Sequence, residues 1–372
     1  MNKKYLINLY PVSLGGGLQN ASSFITMLAS DNKRRKDSVV VVRKNTTLER
    51  LCIESDIDVL SVSDSFLGRI FIEFLYIKYL CVKFEIERVF TLFGNTPLNR
   101  PSCKCISGFA YSNIIEKNVD FWFFLSRRSK LLARIKDWIR LKSSLRSDVI
   151  ILETYHLHKI AKQNRTFNNV ELKVVQMSPS SMLNSLSALN RNDVLSDLKI
   201  EYNILYLSGA HPNKNIHRLA PIILELNYKL NIKLIVTLPK SDYTNTVTSA
   251  FYSMGIIDKL KNIGPITPDQ VGSCLEKSDF IINVANLESF SNNWVEAWAS
   301  GRVLICNDKS YAYSSCENAA IYIDLDDPKK AAELIISAFS KKNELQNAGN
   351  ELLKRLPSAK KRYEDFWHVI EK

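Results

Sequence analysis

The chain has 372 residues, 46% of them hydrophobic and 24% charged, which is the make-up of a globular protein of about two domains at ~150 residues each. No run approaches the ~18 apolar residues of a membrane span, and the start MNKKYLINLY lacks the apolar core and small-residue cleavage site of a signal peptide, so neither a spanning nor a secreted protein is expected. The net charge of +12 is one-sided: residues 1–180 hold 28 Lys and Arg against 16 Asp and Glu, whereas residues 181–372 hold 22 of each. A basic first half points to an anionic partner for that half, whether membrane lipid, a phosphorylated substrate or nucleic acid.

In the first half, β-branched apolar runs at 5–10, 38–42, 57–62, 88–93, 148–153 and 172–177 predict strands, with helical spacing between several of them. Runs apolar throughout suit a parallel sheet covered on both faces. Gly15, Gly16 and Gly17 follow the first run and precede a helix over 18–29, where they allow a ligand phosphate to approach backbone at a helix N-terminus, or simply make a flexible turn. Asp56 and Asp58 form a DxD string amid strand-like residues and read as incidental. Residues 70–82 (IFIEFLYIKYLCV), interrupted by Glu73 and Lys78, predict a buried helix. Of seven cysteines only Cys103 and Cys105 lie close, and the irregular spacing suits buried thiols in a reducing cytoplasm rather than a metal site.

Residues 127–146 (RRSKLLARIKDWIRLKSSLR) hold eight Lys and Arg against Asp137. Leu131, Leu132, Ile135, Trp138 and Ile139 fall at helical spacing, and Arg127, Arg128, Lys130, Arg134 and Arg140 contribute to a cationic remainder. With PheTrpPhePhe at 121–124 before it, this is the pattern of an interfacial membrane helix. The alternative is a domain helix whose apolar face meets the sheet. No recognition motif supports nucleic acid. Residues 178–200 are rich in Ser and Asn and carry Pro179, which places a linker at 181–200 after a first domain of 1–180.

The alternation resumes with strands at 202–208, 232–238, 261–264, 279–284, 302–306 and 320–323, and helices at 215–230, near 245–254, at 268–277 and at 291–300. Asp327 and Pro328 form a helix start. The second domain spans 201–352, and the chain ends in a helix over 353–372. The architecture expected is α/β, two doubly wound domains facing a central cleft, with ligands at the carboxyl ends of the strands.

Within 288–301 (ESFSNNWVEAWASG), Glu288 and Glu296 are separated by seven residues, with small polar residues between. Glu288 leaves an apolar strand, and Ser289 to Asn293 open the next helix, whose free amides suit a diphosphate. The two carboxylates suit two pairs of vicinal hydroxyls. Equally, Glu288 caps the helix and Glu296 lies on a solvated face.

The segment Glu288 to Glu296, followed by AlaTrpAlaSerGlyArgValLeuIle, resembles the E-x7-E motif and following helix and strand of retaining GT-B glycosyltransferases of the family-4, "group 1" type. The likeness is closest over 202–340. It implies that Glu288 holds the donor hexose and Glu296 the nucleotide ribose, with backbone contacts from Ser289, Phe290, Ser291 and Asn292. SerGlyAlaHisProAsnLysAsn (208–215) resembles the segment whose Arg and Lys neutralise the donor diphosphate. There Gly209, Lys214 and Asn215 match, and Ala210 stands where the Arg is expected, leaving His211 or another base to substitute. Asn262 to Ile266, with Gly264 and Ile266, resembles the nucleobase loop. In the family the 15–17 loop lies across from the diphosphate. A His carried by many relatives near the transferred sugar is absent from 107–113; His156 and His158 are the nearest candidates, for which structural roles serve as well.

The resemblance implies a hexosyltransferase using a nucleotide-diphosphate sugar, with no cofactor and no metal, in which Lys214 and the helix end stabilise the leaving group and Glu288 sits at the reacting sugar. It implies a polyprenyl-diphosphate-linked saccharide acceptor in surface polysaccharide (lipopolysaccharide, capsule or exopolysaccharide) assembly, a cytoplasmic protein held peripherally at the inner membrane face, and a last helix returning to the first domain. The alternative is a non-catalytic GT-B subunit that binds a sugar nucleotide or a partner transferase; a sugar-nucleotide epimerase is a third reading.

Overall fold

The computed structural model describes residues 3–13, 15–179 and 202–372; the predicted linker lies outside them. The chain divides into two compact units, Met1–Ser180 with Pro357–Lys372, and Ser181–Leu356.

The first unit is built on a seven-stranded parallel sheet of order β3-β2-β1-β4-β5-β6-β7. The strands are β1 Tyr5–Asn8, β2 Ser38–Arg43, β3 Val59–Val62, β4 Arg88–Thr91, β5 Lys104–Gly108, β6 Val149–Leu152 and β7 Glu171–Val174. β1 and β6 are buried along their whole length, which is why they read as unbroken apolar runs. β5 (KCISG) carries no such run, yet it is a central strand. Its Ser107 is fully buried and shares a hydroxyl cluster with Thr96 (3.3 Å) and Ser147 (2.8 Å), so its polar side chain is satisfied in the interior.

The last helix, Ala359–Glu371, belongs to this unit. Trp367 is fully buried with its ring 4.9 Å from that of Tyr5, and Phe24 of the Gly15–Ser30 helix lies 5.4 Å from Tyr363. Arg34 ties the helix from outside through Glu364 (2.8 Å) and Glu371 (3.1 Å).

The segment expected as a buried helix at 70–82 is corrected. Helices Phe66–Phe71 and Ile77–Lys83 flank a π-helical stretch, Ile72–Tyr76. Ile72, Ile77 and Leu80 pack into the core, but Phe66, Leu67, Ile70, Phe71, Leu75 and Val82 face solvent. Apolar residues all round a helix look the same in sequence whether one face or both are covered.

The second unit has a six-stranded parallel sheet of order β10-β9-β8-β11-β12-β13. These strands are β8 Tyr202–Tyr206, β9 Ile232–Val236, β10 Leu260–Asn262, β11 Phe280–Asn283, β12 Val303–Asn307 and β13 Ile321–Ile323. The helix expected over 215–230 is shorter. Residues Pro212–Lys214 and Ile216–Leu219 form 3-10 turns around Asn215, which adopts the left-handed conformation (φ 54°), and regular helix spans only Ala220–Asn227. A left-handed residue cannot continue a helix.

The helix Asn292–Ala299 is clamped by the Lys342–Arg355 helix, where Gly349 meets Trp298. A Cβ at Gly349 would stand 2.6 Å from Trp298 Cδ1, and Trp298 is itself fixed by donating to Ala319 O at 3.2 Å. Overpacking of about 1–3 kcal/mol outweighs the ~1 kcal/mol that alanine adds to helix propensity. Gly349→Ala is therefore expected to lower the melting midpoint by a few degrees; an unchanged or raised midpoint in thermal unfolding would show that Trp298 can move.

Candidate functional site

The second sheet reverses its order between β8 and β11: β9 and β10 build outward on one side, β12 and β13 on the other. At such a reversal the crossovers depart to opposite faces and leave a crevice beyond the carboxyl ends of the two strands. The segments leaving β8 (207–215) and β11 (284–291) border this crevice.

Three asparagines hold these segments together. Asn213 donates through Nδ2 to Leu287 O at 2.9 Å, while its carbonyl accepts from Asn286 N at 2.7 Å. Asn215 Nδ2 donates to Val284 O at 3.1 Å, and Asn293 Nδ2 to Leu207 O at 3.0 Å. The Tyr206 hydroxyl donates to Lys214 O at 3.1 Å and fixes the turn from below. This frame brings Lys214 and Glu288, 74 residues apart, into a partly buried ion pair. Glu288 is thus not the cap of the following helix. Ser291 occupies the cap position, but its hydroxyl accepts from Asn283 Nδ2 at 2.6 Å and caps nothing. The Ser291 side chain thus leaves the N-terminus of the Asn292–Ala299 helix, an end that favours an anion, without a cap of its own.

Glu296 is not on a solvated face. It is 7% exposed, burial pushes its pKa up to about 7, and its Oε2 has no hydrogen-bond partner. Asn213 Oδ1 and Trp294 Nε1 are likewise buried without partners. An unpaired buried polar atom costs about 1–3 kcal/mol. Three such atoms fall on the segment leaving β8 and on the Asn292–Ala299 helix. Asn213, Asn283 and Trp294 were not singled out by sequence reasoning; the asparagines at strand ends were the available signal, because Asn side chains pair with backbone where ladders stop.

Gly209 lies exposed in the β8 segment, with open space where a Cβ would be. His211 does not stand in for a cation: its Nδ1 accepts from Asn213 N at 3.1 Å, which requires the unprotonated nitrogen, and desolvation together with the Lys214 charge lowers its pKa. Gly264 (φ +76°) and Ile266 follow β10, two strands from β8; the Gly264 amide donates to Asn262 Oδ1 at 3.1 Å. Ser289 and Phe290 are half-buried, and the Phe290 ring lies 5.3 Å from that of Trp294.

In the first unit the order reverses between β1 and β4, and Gly15 (φ +62°), Gly16 and Gly17 open the helix that follows β1 at this point. His156, after β6, pairs with buried Glu116, and His158 is half-buried on the same Tyr155–Gln163 helix. Asp56 and Asp58 precede β3 at its amino end and pair with Arg35 and Lys3. On the Arg127–Ser144 helix, Leu131, Leu132, Ile135, Trp138 and Ile139 are exposed, so its apolar face does not meet the sheet. Arg127, Arg128 and Arg134 are exposed too. Two members of the expected cationic set are engaged: Lys130 pairs with Asp120, and Arg140 bonds Asp137 at 3.0 Å and stacks 4.7 Å from the Tyr111 ring centre. Among the described residues no helix is long and apolar enough to cross a membrane.

Two doubly wound parallel α/β units in one chain, with the last helix returned to the first, give this protein the GT-B fold. It superposes over its whole length on a glycosyltransferase from Rickettsia africae (13% identity, 98% of that chain, TM-score 0.72). It also superposes on sucrose-phosphate synthase from Thermosynechococcus elongatus (10%, 98%, 0.73) and on HepE from Anabaena in complex with UDP and glucose (13%, 100%, 0.70). No protein-family model matches the chain, and no curated protein matches it in sequence.

Proposed function

We propose that this chain is a glycosyltransferase that moves a hexose from a nucleotide-diphosphate sugar to a saccharide acceptor. The observation that carries the reading is the Lys214–Glu288 pair at the switch point of the second sheet, on the same β11 exit that leads to the buried, unpaired Glu296 carboxyl. The two charges neutralise each other. A donor diphosphate takes over Lys214 and the helix N-terminus, which leaves Glu288 to accept hydroxyls of the sugar. The same cationic end stabilises the leaving nucleoside diphosphate as the glycosidic bond breaks, with no metal or other cofactor called on. Glu296 accepts from the ribose. Among solved relatives in fold, HepE was captured with UDP and glucose, which supports a uridine nucleotide as the first to test.

The acceptor we infer is a lipid-linked saccharide, transferred to with retention at the cytoplasmic face of the membrane, in surface polysaccharide assembly. The support is the basic surplus of the first half and the exposed apolar and cationic Arg127–Ser144 helix. One observation favours a second reading, a non-catalytic subunit that binds a sugar nucleotide or a partner transferase: Ala210 replaces the expected Arg, and neutral His211 does not supply its charge.

Thermal unfolding against UDP-, GDP-, ADP- and CMP-sugars tests the donor site, since a ligand of the folded state raises the midpoint by mass action. A selective shift is expected. Lys214→Ala is expected to weaken binding of the matching nucleoside diphosphate about ten- to a hundredfold, the worth of a charge-assisted hydrogen bond. Unchanged affinity would remove Lys214 from the site, and turnover with an acceptor separates enzyme from binding subunit.

A further inference from the structure

We propose that the helical segment of residues 66–83 is the part of the first unit that enters an anionic lipid surface, with the Arg127–Ser144 helix beside it as the electrostatic contact. Phe66, Leu67 and Val82 are 78%, 75% and 77% exposed, and Ile70, Phe71 and Leu75 continue the same stripe at spacings of three and four. Its inner face is already committed to the core through Ile72, Ile77 and Leu80. A helix apolar on both faces satisfies the outer one only against something apolar.

Charge selects the occupant. Glu73, the one acid of the segment, is turned inward, where its Oε2 accepts from Leu98 N at 3.1 Å. Asp137, the one acid of the neighbouring helix, is turned inward too, accepting from Asn113 (2.7 Å), Trp122 (2.7 Å) and Arg140 (3.0 Å). The charge left on the outer faces is positive, and Arg127, Arg128, Arg134, Lys136 and Lys142 have no ion-pair partner among the described residues. The two helices share one support, the loop 95–99. Asn99 Nδ2 donates to Phe74 O at 2.8 Å on one side; Ser143 Oγ donates to Thr96 O and Arg146 to Leu98 O (2.6 Å) on the other. Tyr111, stacked under Arg140, also lies within electrostatic reach of Arg69 and Glu73, so the apolar stripe and the cationic helix are neighbours in one unit. A second copy of the chain docked there about a two-fold axis would set cations against cations. An anionic bilayer matches both features, and a helix of this length lies in the interface rather than spanning it.

This rests on the membrane-surface part of the function proposed above, and its test is independent of the donor site. Full-length protein is sedimented with phosphatidylcholine vesicles with and without phosphatidylglycerol. Binding only to the anionic vesicles is expected, weakened by salt. Leu67→Glu with Leu75→Glu, both at exposed positions, is expected to lower partitioning about tenfold or more while the melting midpoint and the nucleotide-induced shift hold. Arg127→Glu with Arg134→Glu is expected to abolish the preference for anionic lipid. Wild-type protein that ignores anionic vesicles overturns the proposal, as does wild-type binding by the Leu67/Leu75 variant. So does light scattering that shows a dimer lost in that variant without any vesicle binding. Absence of any nucleotide shift in wild-type protein that still binds vesicles would sink the transferase reading and leave this one standing.

Discussion

Glu288→Ala is expected to separate binding from transfer. Glu288 neutralises Lys214, and its removal leaves that ammonium free in a partly buried site. Affinity for the nucleoside diphosphate should hold or rise, because the phosphate no longer competes with a carboxylate. Transfer should fall by about a hundredfold or more, the usual effect of deleting one group that acts on the transition state. The fold should survive, since Asn213, Asn215 and Asn293 join the β8 and β11 segments through backbone without help from Glu288. Titration calorimetry with the diphosphate and a coupled transfer assay on the same preparation decide the matter. Loss of both properties together would mean that the ion pair is a structural element; normal transfer would take Glu288 away from the sugar.

Glu296→Gln should make the ligand-free protein more stable, in a manner that depends on pH. Burial raises the folded-state pKa from the ordinary 4.5 to about 7. Between these values the folded chain keeps a proton that the unfolded chain has lost, so stability falls as pH rises from about 4.5 to about 7 and stays lowered above that. The difference amounts to roughly 3 kcal/mol at most. Glutamine has the shape of the acid and does not ionise. Melting midpoints of variant and wild type should nearly coincide near pH 4.5 and diverge by several degrees at pH 8, with the variant higher. The same change replaces the carboxylate proposed to accept from the ribose, whose Oε2 has no partner within the protein, so nucleotide binding should weaken as stability rises. Equal midpoints at pH 8 would show that Glu296 is hydrated.

How much of this was legible beforehand varied with the kind of interaction. β1, β2, β6, β8, β9, β11 and β12 were visible as apolar runs because a parallel sheet covered on both faces demands them along the whole strand. β5 escaped, since the Ser107 cluster pays in hydrogen bonds what its neighbours supply in apolar surface. The 70–82 segment was seen as a helix and placed in the core, because its periodicity states only that both faces are apolar.

The sequence by itself determined the class of architecture, the position of the carboxylate pair and the charge asymmetry, for these depend on local pattern and composition. Which groups face one another was decided only by the tertiary structure. Lys214 and Glu288 meet because the strand order reverses between β8 and β11, and Glu296 is buried because its helix is packed against β11, β12 and the Lys342–Arg355 helix together. Crossover topology and burial are long-range properties: they arise when distant segments share one core, and no window of the chain contains them.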